Sequence, residues 1–532
     1  MKYILLFTFV LFMTNRCHAQ QNVIVIIADD LGADYCGFTD NATDTAKMPN
    51  IRSLLQKGVR FKNAWATPYC SSTRAGTVTG RYSFRTSVGT VIGAANSNDL
   101  DSAEMTIASL LKYDAPVKYT TANIGKWHMN VQTPQKLLYP TQNFGYDLFK
   151  GNFSGAIASY YNWTKVTNGI QTDTITNYAT TETIDDAIAW LDTIQNNKPF
   201  FLWLAFNAPH TPFHVPPAGL HTVTGLTGTQ QHINQNAPLY FKAMIEAMDT
   251  ETGRLLQWLI TNNKMDSTNF IFMGDNGNDK RVIQIADTTH TKGTLYDYGV
   301  HVPFLISGPA VVNPNRSSDA LVNVQDVFAT SLELAGFSNW TTAIPNGTVI
   351  DSKSIVPILK NQNTNIRDWA FTELFTPTPT PKDGKSIRNL DYHLIKFDNG
   401  TQQFFNMTID PTEQTNLLLQ NLSAAELSNY NYLCNELSTL TGISSCLSGV
   451  SVNDIAHDIE TLQIHEEANG LIRFDANTPY TVIVYTAIGT PLFTIQFTAG
   501  MHTLPLSAYA KGMYIVEMKT NEQRKIQKIM LE

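Results

Sequence analysis

Four apolar runs in this chain end alike, each stopping at a cluster of polar, ionisable residues. Asn22–Ala28 runs into Asp29-Asp30, and Tyr119–Ile124 into Gly125-Lys126-Trp127-His128. Phe200–Phe206 runs into Asn207-Ala208-Pro209-His210, and Phe270–Met273 into Gly274-Asp275-Asn276-Gly277. Unbroken apolar runs without alternation belong to strands buried on both faces, as in a parallel sheet. Between them, Thr181–Leu191 places Ile184, Ala187, Ile188 and Leu191 on one helical face, and Tyr240–Leu259 repeats the pattern. The alternation predicts an α/β fold, with a central mixed, mostly parallel sheet sandwiched by helices. Ligands in such folds bind beyond the carboxyl ends of the strands, so the four polar clusters locate a site.

The 532 residues allow more than one domain. Residues 1–19 read as a signal peptide: Lys2 is the positive start and Tyr3–Met13 an apolar run too short to span a bilayer. Residues 20–340 carry the site-bearing domain. Residues 341–447 are less regular, with a strand at Asp391–Asp398 and a helix at Ala424–Leu440, and read as a smaller α+β subdomain. A linker at 448–464 leads to 465–532, where Pro479–Tyr485, Leu492–Phe497 and Met513–Lys519 are short strands and Ile488-Gly489-Thr490 is a turn. No catalytic cluster is visible in that last part.

Removing residues 1–19 takes away Lys2 and Arg16 and no acid, so the net charge of −8 becomes −10. This argues against a general nucleic-acid binder. No second segment is long and apolar enough for a stable membrane span. The cysteines left after residue 19 form no disulfide framework. Cys434 and Cys446 are close enough to pair in an oxidising compartment, an alternative left open here, and Cys36 reads as buried.

Asp29, Asp30, Asp275 and Asn276 are oxygen donors at the ends of two strands, a set suited to a hard divalent cation. Ca²⁺ is the natural choice and Mg²⁺ the alternative; the lack of His or Cys in the set argues against zinc.

The segment Cys70-Ser71-Ser72-Thr73-Arg74, closing on Thr79-Gly80-Arg81, resembles the signature of the type I sulfatases of the alkaline phosphatase superfamily. Gly125–His128, Ala208–Pro212, Gly274–Gly277 and Lys292–Tyr296 resemble further motifs of that family, as does Asp410-Pro411 with Glu413 and Asn416-Leu417. The resemblance covers about residues 22–420. It implies a sulfuric ester hydrolase in which a separate maturation enzyme oxidises Cys70 to formylglycine (3-oxoalanine). One hydroxyl of its hydrate attacks sulfur to form a covalent sulfate ester, and the second then expels sulfate. By the same resemblance, Arg74 orients the formylglycine, Lys126 and Lys292 offset charge on the sulfate, His128 is the base and His210 protonates the leaving alcohol. The implied substrate is a sulfated carbohydrate, a polysaccharide or its oligosaccharides.

The sequence departs from the family pattern at Ser72, where Pro or Ala is usual, and at Asp297 and Tyr298. His214, Arg388 and His301 are left unassigned. The C-terminal region resembles the sorting domain of the type IX secretion system, a small β-sandwich, through Gly512–Val516 and a Lys-rich last strand at Lys525–Leu531. This implies the secretion machinery as a partner and a secreted or cell-surface location, the periplasm being the alternative. Two rival functions stand beside the sulfatase. One is a phosphatase or phosphodiesterase of the same superfamily, and the other a non-catalytic protein that captures sulfated glycans with Cys70 left as a thiol.

Overall fold

The computed structural model describes residues 21–39, 44–93, 97–195, 198–285, 287–442, 463–467, 471–476, 479–487, 490–506, 509–520 and 524–531. The expected signal peptide, Cys446, most of the expected linker and Ile488-Gly489 lie outside them. Cys434 is buried and disulfide-bonded, and Cys36 is a buried free thiol. Two compact units divide the chain, one up to Ser451 and one from Val452.

The first unit is built on a ten-stranded sheet. Its strands are β1 (Asn22–Ala28), β2 (Gly58–Trp65), β3 (Thr120–Gly125), β4 (Leu148–Gly151), β5 (Trp163–Thr167), β6 (Ile170–Ile175), β7 (Phe200–Ala205), β8 (Thr268–Gly274), β9 (Phe304–Ser307) and β10 (Arg316–Asn323). They lie in the order β10-β2-β9-β8-β1-β7-β3-β4-β5-β6. Only β5 and β9 run against the rest. The four runs singled out in the sequence are β8, β1, β7 and β3, which are consecutive at the centre of the sheet. Central strands are buried on both faces, which is why β1, β7 and β8 read as apolar runs, while β3 is equally buried but carries Thr121 and Asn123.

Alternate side chains of a strand point to opposite faces, and each face has its own core. Val23, Val25 and Ile27 join Trp203 and Ala205 on one side, against the helices Cys70–Thr79, Ile107–Tyr113 and Asp326–Leu334. Ile24, Ile26 and Ala28 join Leu202 and Leu204 on the other, against Ala179–Asp192 and Ala237–Thr261. The sheet is therefore mixed, mostly parallel and covered by helices on both faces. The parallel pairings β1–β7, β1–β8 and β3–β7 keep the carboxyl ends of four strands side by side.

Beyond residue 340 the same unit adds an antiparallel meander: β11 (Ala370–Leu374), β12 (Gly384–Arg388), β13 (Tyr392–Phe397) and β14 (Gln402–Asn406). The helix Ala424–Thr441 covers it through Tyr430, Leu433 and Leu437. Ser423 and Glu426 close a capping box at its start, and Gly442 in the left-handed region ends it.

The second unit, taken by itself, has two antiparallel sheets, one of three strands and one of four, around a shared core containing Ile472, Phe474, Val482, Val484 and Val516. Its strands include Tyr480–Thr486, Pro491–Phe497, Gly512–Lys519 and Arg524–Leu531. The strands at Gln463–Glu467, Leu471–Ala476 and Gly500–Pro505 are additions that the sequence reading did not list.

Candidate active site

At the end of β1 the chain delivers Asp29 and Asp30, and at the end of β8 Asp275 and Asn276. Backbone bonds stitch these ends together: Asp275 N donates to Ala28 O at 3.1 Å, and Asp29 N donates to Ala208 O at 3.0 Å. Asp30 takes the left-handed conformation at φ 64° and donates its N–H to Asp275 Oδ1 at 2.9 Å. Gly125, at φ 104°, ends β3 so close to β7 that a Cβ would stand 1.8 Å from Ala205 O. Only glycine fits there, and the next residues, Lys126 and His128, turn into the site.

Cys70 is the first residue of the helix Cys70–Thr79, after Tyr69 at its N-cap. Its Sγ and the carboxylates of Asp29 and Asp275 present ligand atoms within 4.8 Å of one another. Segments far apart in sequence therefore meet at one point. Cys70 Sγ lies 3.2 Å from His128 Nδ1, and His128 Nε2 lies 3.1 Å from the carbonyl of Ile92. The Ile92 carbonyl fixes the ring from its far side, a contact that no sequence motif announces.

The charges are tightly paired. Arg74 donates from Nε and Nη2 to Asp275 Oδ2 at 3.1 and 2.7 Å, and from Nη1 to Lys126 O at 3.0 Å. Lys126 Nζ donates to both oxygens of Asp29 at 2.9 and 2.6 Å. Lys292 Nζ pairs with Asp30 Oδ1, and His210 Nε2 stands 3.6 Å from Asp30 Oδ2. All ten residues picked from the sequence thus converge. The two lysines, expected to face a sulfate, rest on carboxylates.

Burial raises the Asp29 carboxyl to about 7; Lys126 pulls against that shift and Asp275 adds to it. Burial would also raise Asp30, but Lys292 and His210 outweigh it and hold that carboxyl at about 2. Asp275 is lowered for the same reason, with Arg74 as the main cation opposing burial. His128 is pushed well below the usual imidazole range by burial, then by Lys126 and Arg74, so its ring is neutral; with Nε2 donating to the Ile92 carbonyl, Nδ1 is the unprotonated nitrogen that faces Cys70.

The donor set suits a hard cation. Asn276 Nδ2 donates to Asp30 Oδ1 and to Gly277 O, both at 2.8 Å, which fixes the orientation of the amide. Its Oδ1 is left buried without a hydrogen-bond partner. An orphaned acceptor beside three carboxylates is what an oxygen-liganded Ca²⁺ or Mg²⁺ would satisfy.

Two of the departures from the family pattern, Ser72 and Asp297, have buried hydrogen-bond partners. The Ser72 hydroxyl sits fully buried, donating to Tyr69 O at 3.0 Å and lying 2.6 Å from Thr67 Oγ1. Asp297 is buried beneath Trp65 Nε1 at 2.7 Å, Arg388 Nη1 at 3.1 Å and His301 Nδ1 at 3.0 Å. Arg388, at the end of β12, therefore ties the segment after Lys292 to the meander, and His301, whose Nε2 lies 2.8 Å from Lys62 O, ties it to β2.

Three family models match the chain. They are Sulfatase over residues 21–337, the C-terminal part of N-sulphoglucosamine sulphohydrolase over 288–440, and a secretion system C-terminal sorting domain over 468–532. The last indicates secretion or cell-surface export. Among curated relatives, a sulfatase of Escherichia coli (strain K12) is 27% identical over 64% of this chain and 66% of its own length. The ulvan-active sulfatase of Formosa agariphila is 24% identical over 75% of this chain and 77% of its own length. A crystal structure described as Ps i-CgsB in complex with k-i-k-neocarrahexaose superposes with a TM-score of 0.65 at 22% identity, covering 82% of this chain and 95% of the other. A family model that spans more than half of the chain, with its motifs gathered at the carboxyl ends of the central strands, leads to one conclusion: this chain belongs to the sulfatase family of sulfuric ester hydrolases.

Proposed function

We propose that the protein is an exported sulfatase that removes sulfate from a sulfated carbohydrate, with Cys70, matured to formylglycine, as nucleophile. The observation that carries this reading is the meeting of Cys70 with Asp29 and Asp275 at one buried point. Asp29, Asp30, Asp275 and Asn276 would hold Ca²⁺, or Mg²⁺ in its place. When bound, the cation supplies positive charge to the nucleophile and to a sulfate oxygen. The hydrated aldehyde at position 70 supplies the attacking hydroxyl.

The protein's own groups do the rest. His128, neutral and in contact with position 70, takes the hydroxyl proton. Arg74 holds Asp275 from two nitrogens and keeps the floor of the site rigid. Lys126 and Lys292 carry the charge that balances the sulfate as its S–O bond breaks. His210 gives a proton to the departing sugar oxygen. Three carboxylates and three cationic side chains balance one another, so a divalent cation would leave the pocket positive, as an anionic ester requires. The carbohydrate assignment draws support from the export domain and from the relative named an ulvan-active sulfatase.

The test combines peptide mass spectrometry of position 70 with parallel assays on 4-nitrophenyl sulfate and 4-nitrophenyl phosphate, after co-expression with a maturation enzyme. Aldehyde at position 70 and a preference for sulfate are expected. A retained thiol with no turnover, or a preference for phosphate, overturns the reading.

A further inference from the structure

One loop touches both histidines of the candidate site. Asn152 Nδ2 donates to Asn207 Oδ1 at 3.1 Å, behind the His210 segment. Gly155 lies so close to His128 that a Cβ there would stand 2.5 Å from its Nε2. Tyr160, fully buried, places its hydroxyl between two carbonyl acceptors, Asn207 O at 2.6 Å and His210 O at 2.7 Å, which share its one proton. The chain then emerges at Tyr161, a residue 41% exposed.

Tyr161 does not hang free. Its hydroxyl donates to Val215 O at 2.6 Å. Its ring centroid lies 5.2 Å from that of Tyr178 and 5.8 Å, edge to face, from that of His214. Tyr160 packs on His214 at 4.2 Å. The result is an aromatic cluster in which Tyr160 and Tyr178 are buried and Tyr161 is exposed, tied through Tyr160 to the segment that carries His210.

The cluster carries no charge. His214 Nδ1 lies 2.9 Å from Pro212 O, so that nitrogen holds the proton, and His214 Nε2 accepts from the Tyr178 hydroxyl at 3.0 Å. Both nitrogens are used in the neutral form, and burial lowers the ring to about 4. A neutral imidazole among phenol rings is no anion site. The exposed member is Tyr161, whose ring is an apolar plane with a polar tip, which suits the C–H face of a pyranose ring.

Resting on the sulfatase reading, we infer that Tyr161, backed by Tyr178 and His214, is a stacking platform for a sugar residue of a sulfated oligosaccharide. The sugar would be one next to the residue whose sulfate is removed. The ring is already fixed by its hydroxyl and its neighbours, so little conformational freedom is lost on binding. The platform thus favours carbohydrate chains over small aryl sulfates.

The test compares matured wild type with Tyr161→Ala, Tyr161→Phe and Tyr161→Trp. The probes are 4-nitrophenyl sulfate and a panel of carrageenan, ulvan and heparin tetrasaccharides. For the best tetrasaccharide, Tyr161→Ala should raise KM about tenfold with kcat little altered, a loss at least about fivefold larger than on 4-nitrophenyl sulfate. Tyr161→Phe and Tyr161→Trp should restore most of the affinity, since they keep a ring. Equal losses on both kinds of substrate, or no loss on either, would overturn the platform. So would wild type that cleaves 4-nitrophenyl sulfate but no tetrasaccharide, and in that case the sulfatase reading would stand. Matured wild type inactive on every sulfate ester would sink both.

Discussion

Asp275→Asn separates what the site does for folding from what it does for its ion. Asp275 and Arg74 are both fully buried, and Asp275 Oδ2 receives two hydrogen bonds from the guanidinium. Asp275 Oδ1 also accepts from Asp30 N. Asparagine keeps the shape but cannot serve both sides. If its Oδ1 stays on Asp30 N, its NH₂ faces the guanidinium donors; if it flips, Asp30 N loses its acceptor. Breaking a buried pair from one side costs about 3–5 kcal/mol. Arg74 retains a second carboxylate, Asp29 Oδ1 at 3.7 Å, and the Lys126 carbonyl, so a loss of about 3 kcal/mol at the low end is expected. The assay is urea denaturation in EDTA and again in Ca²⁺. Wild type should gain stability with Ca²⁺. The variant should be weaker in EDTA and should gain almost nothing from Ca²⁺. A variant as stable as wild type in EDTA would refute the buried-pair argument. One that still responds fully to Ca²⁺ would remove Asp275 from the ligand set.

Cys70→Ala should abolish turnover of every sulfate ester while shifting the thermal midpoint by no more than about 2 °C, since it removes a single buried sulfur atom; residual activity in purified variant would exclude Cys70 as nucleophile. His210→Ala should slow sugar sulfates by about 10²–10⁴-fold and 4-nitrophenyl sulfate far less, because only the poor leaving group needs its proton; equal losses on both would refute the acid role. Glu373, buried with one carboxylate oxygen unpartnered, is raised by burial to about 7. In the folded state it holds its proton above the pH at which an unfolded glutamate has lost it, so its contribution to stability falls as pH rises from about 4.5 to about 7. Glu373→Gln should therefore gain stability relative to wild type at pH 8 compared with pH 5, read as the difference in urea midpoints. An unchanged difference would mean that the carboxyl does not titrate in that window.

The sequence alone determined the family and the strands that carry its motifs. Apolar runs mark β1, β7 and β8 because strands buried on both faces favour apolar residues at every position, β3 being marked less clearly because Thr121 and Asn123 are buried within it, and the polar residues that follow mark the carboxyl ends of those strands. Local rules also set the helix boundaries closely, since caps such as Ser423 and Gly442 act within one turn. The tertiary structure decided what no local pattern encodes. Strand order placed β8, β1, β7 and β3 side by side and so brought Cys70, Asp29 and Asp275 to one point. Strands that mix buried and partly buried positions, such as β2 and β5, carry a weak periodic signal, because their neighbours define what is buried. Ile92, Gly155 and Tyr161 gain their significance from residues dozens of positions away, through a carbonyl, a missing Cβ and an exposed ring. Asp297, His301 and Arg388 likewise form one buried cluster across the sheet and the meander. Spacing in the chain cannot reveal such contacts, since their energies depend on distances fixed only when the layers pack.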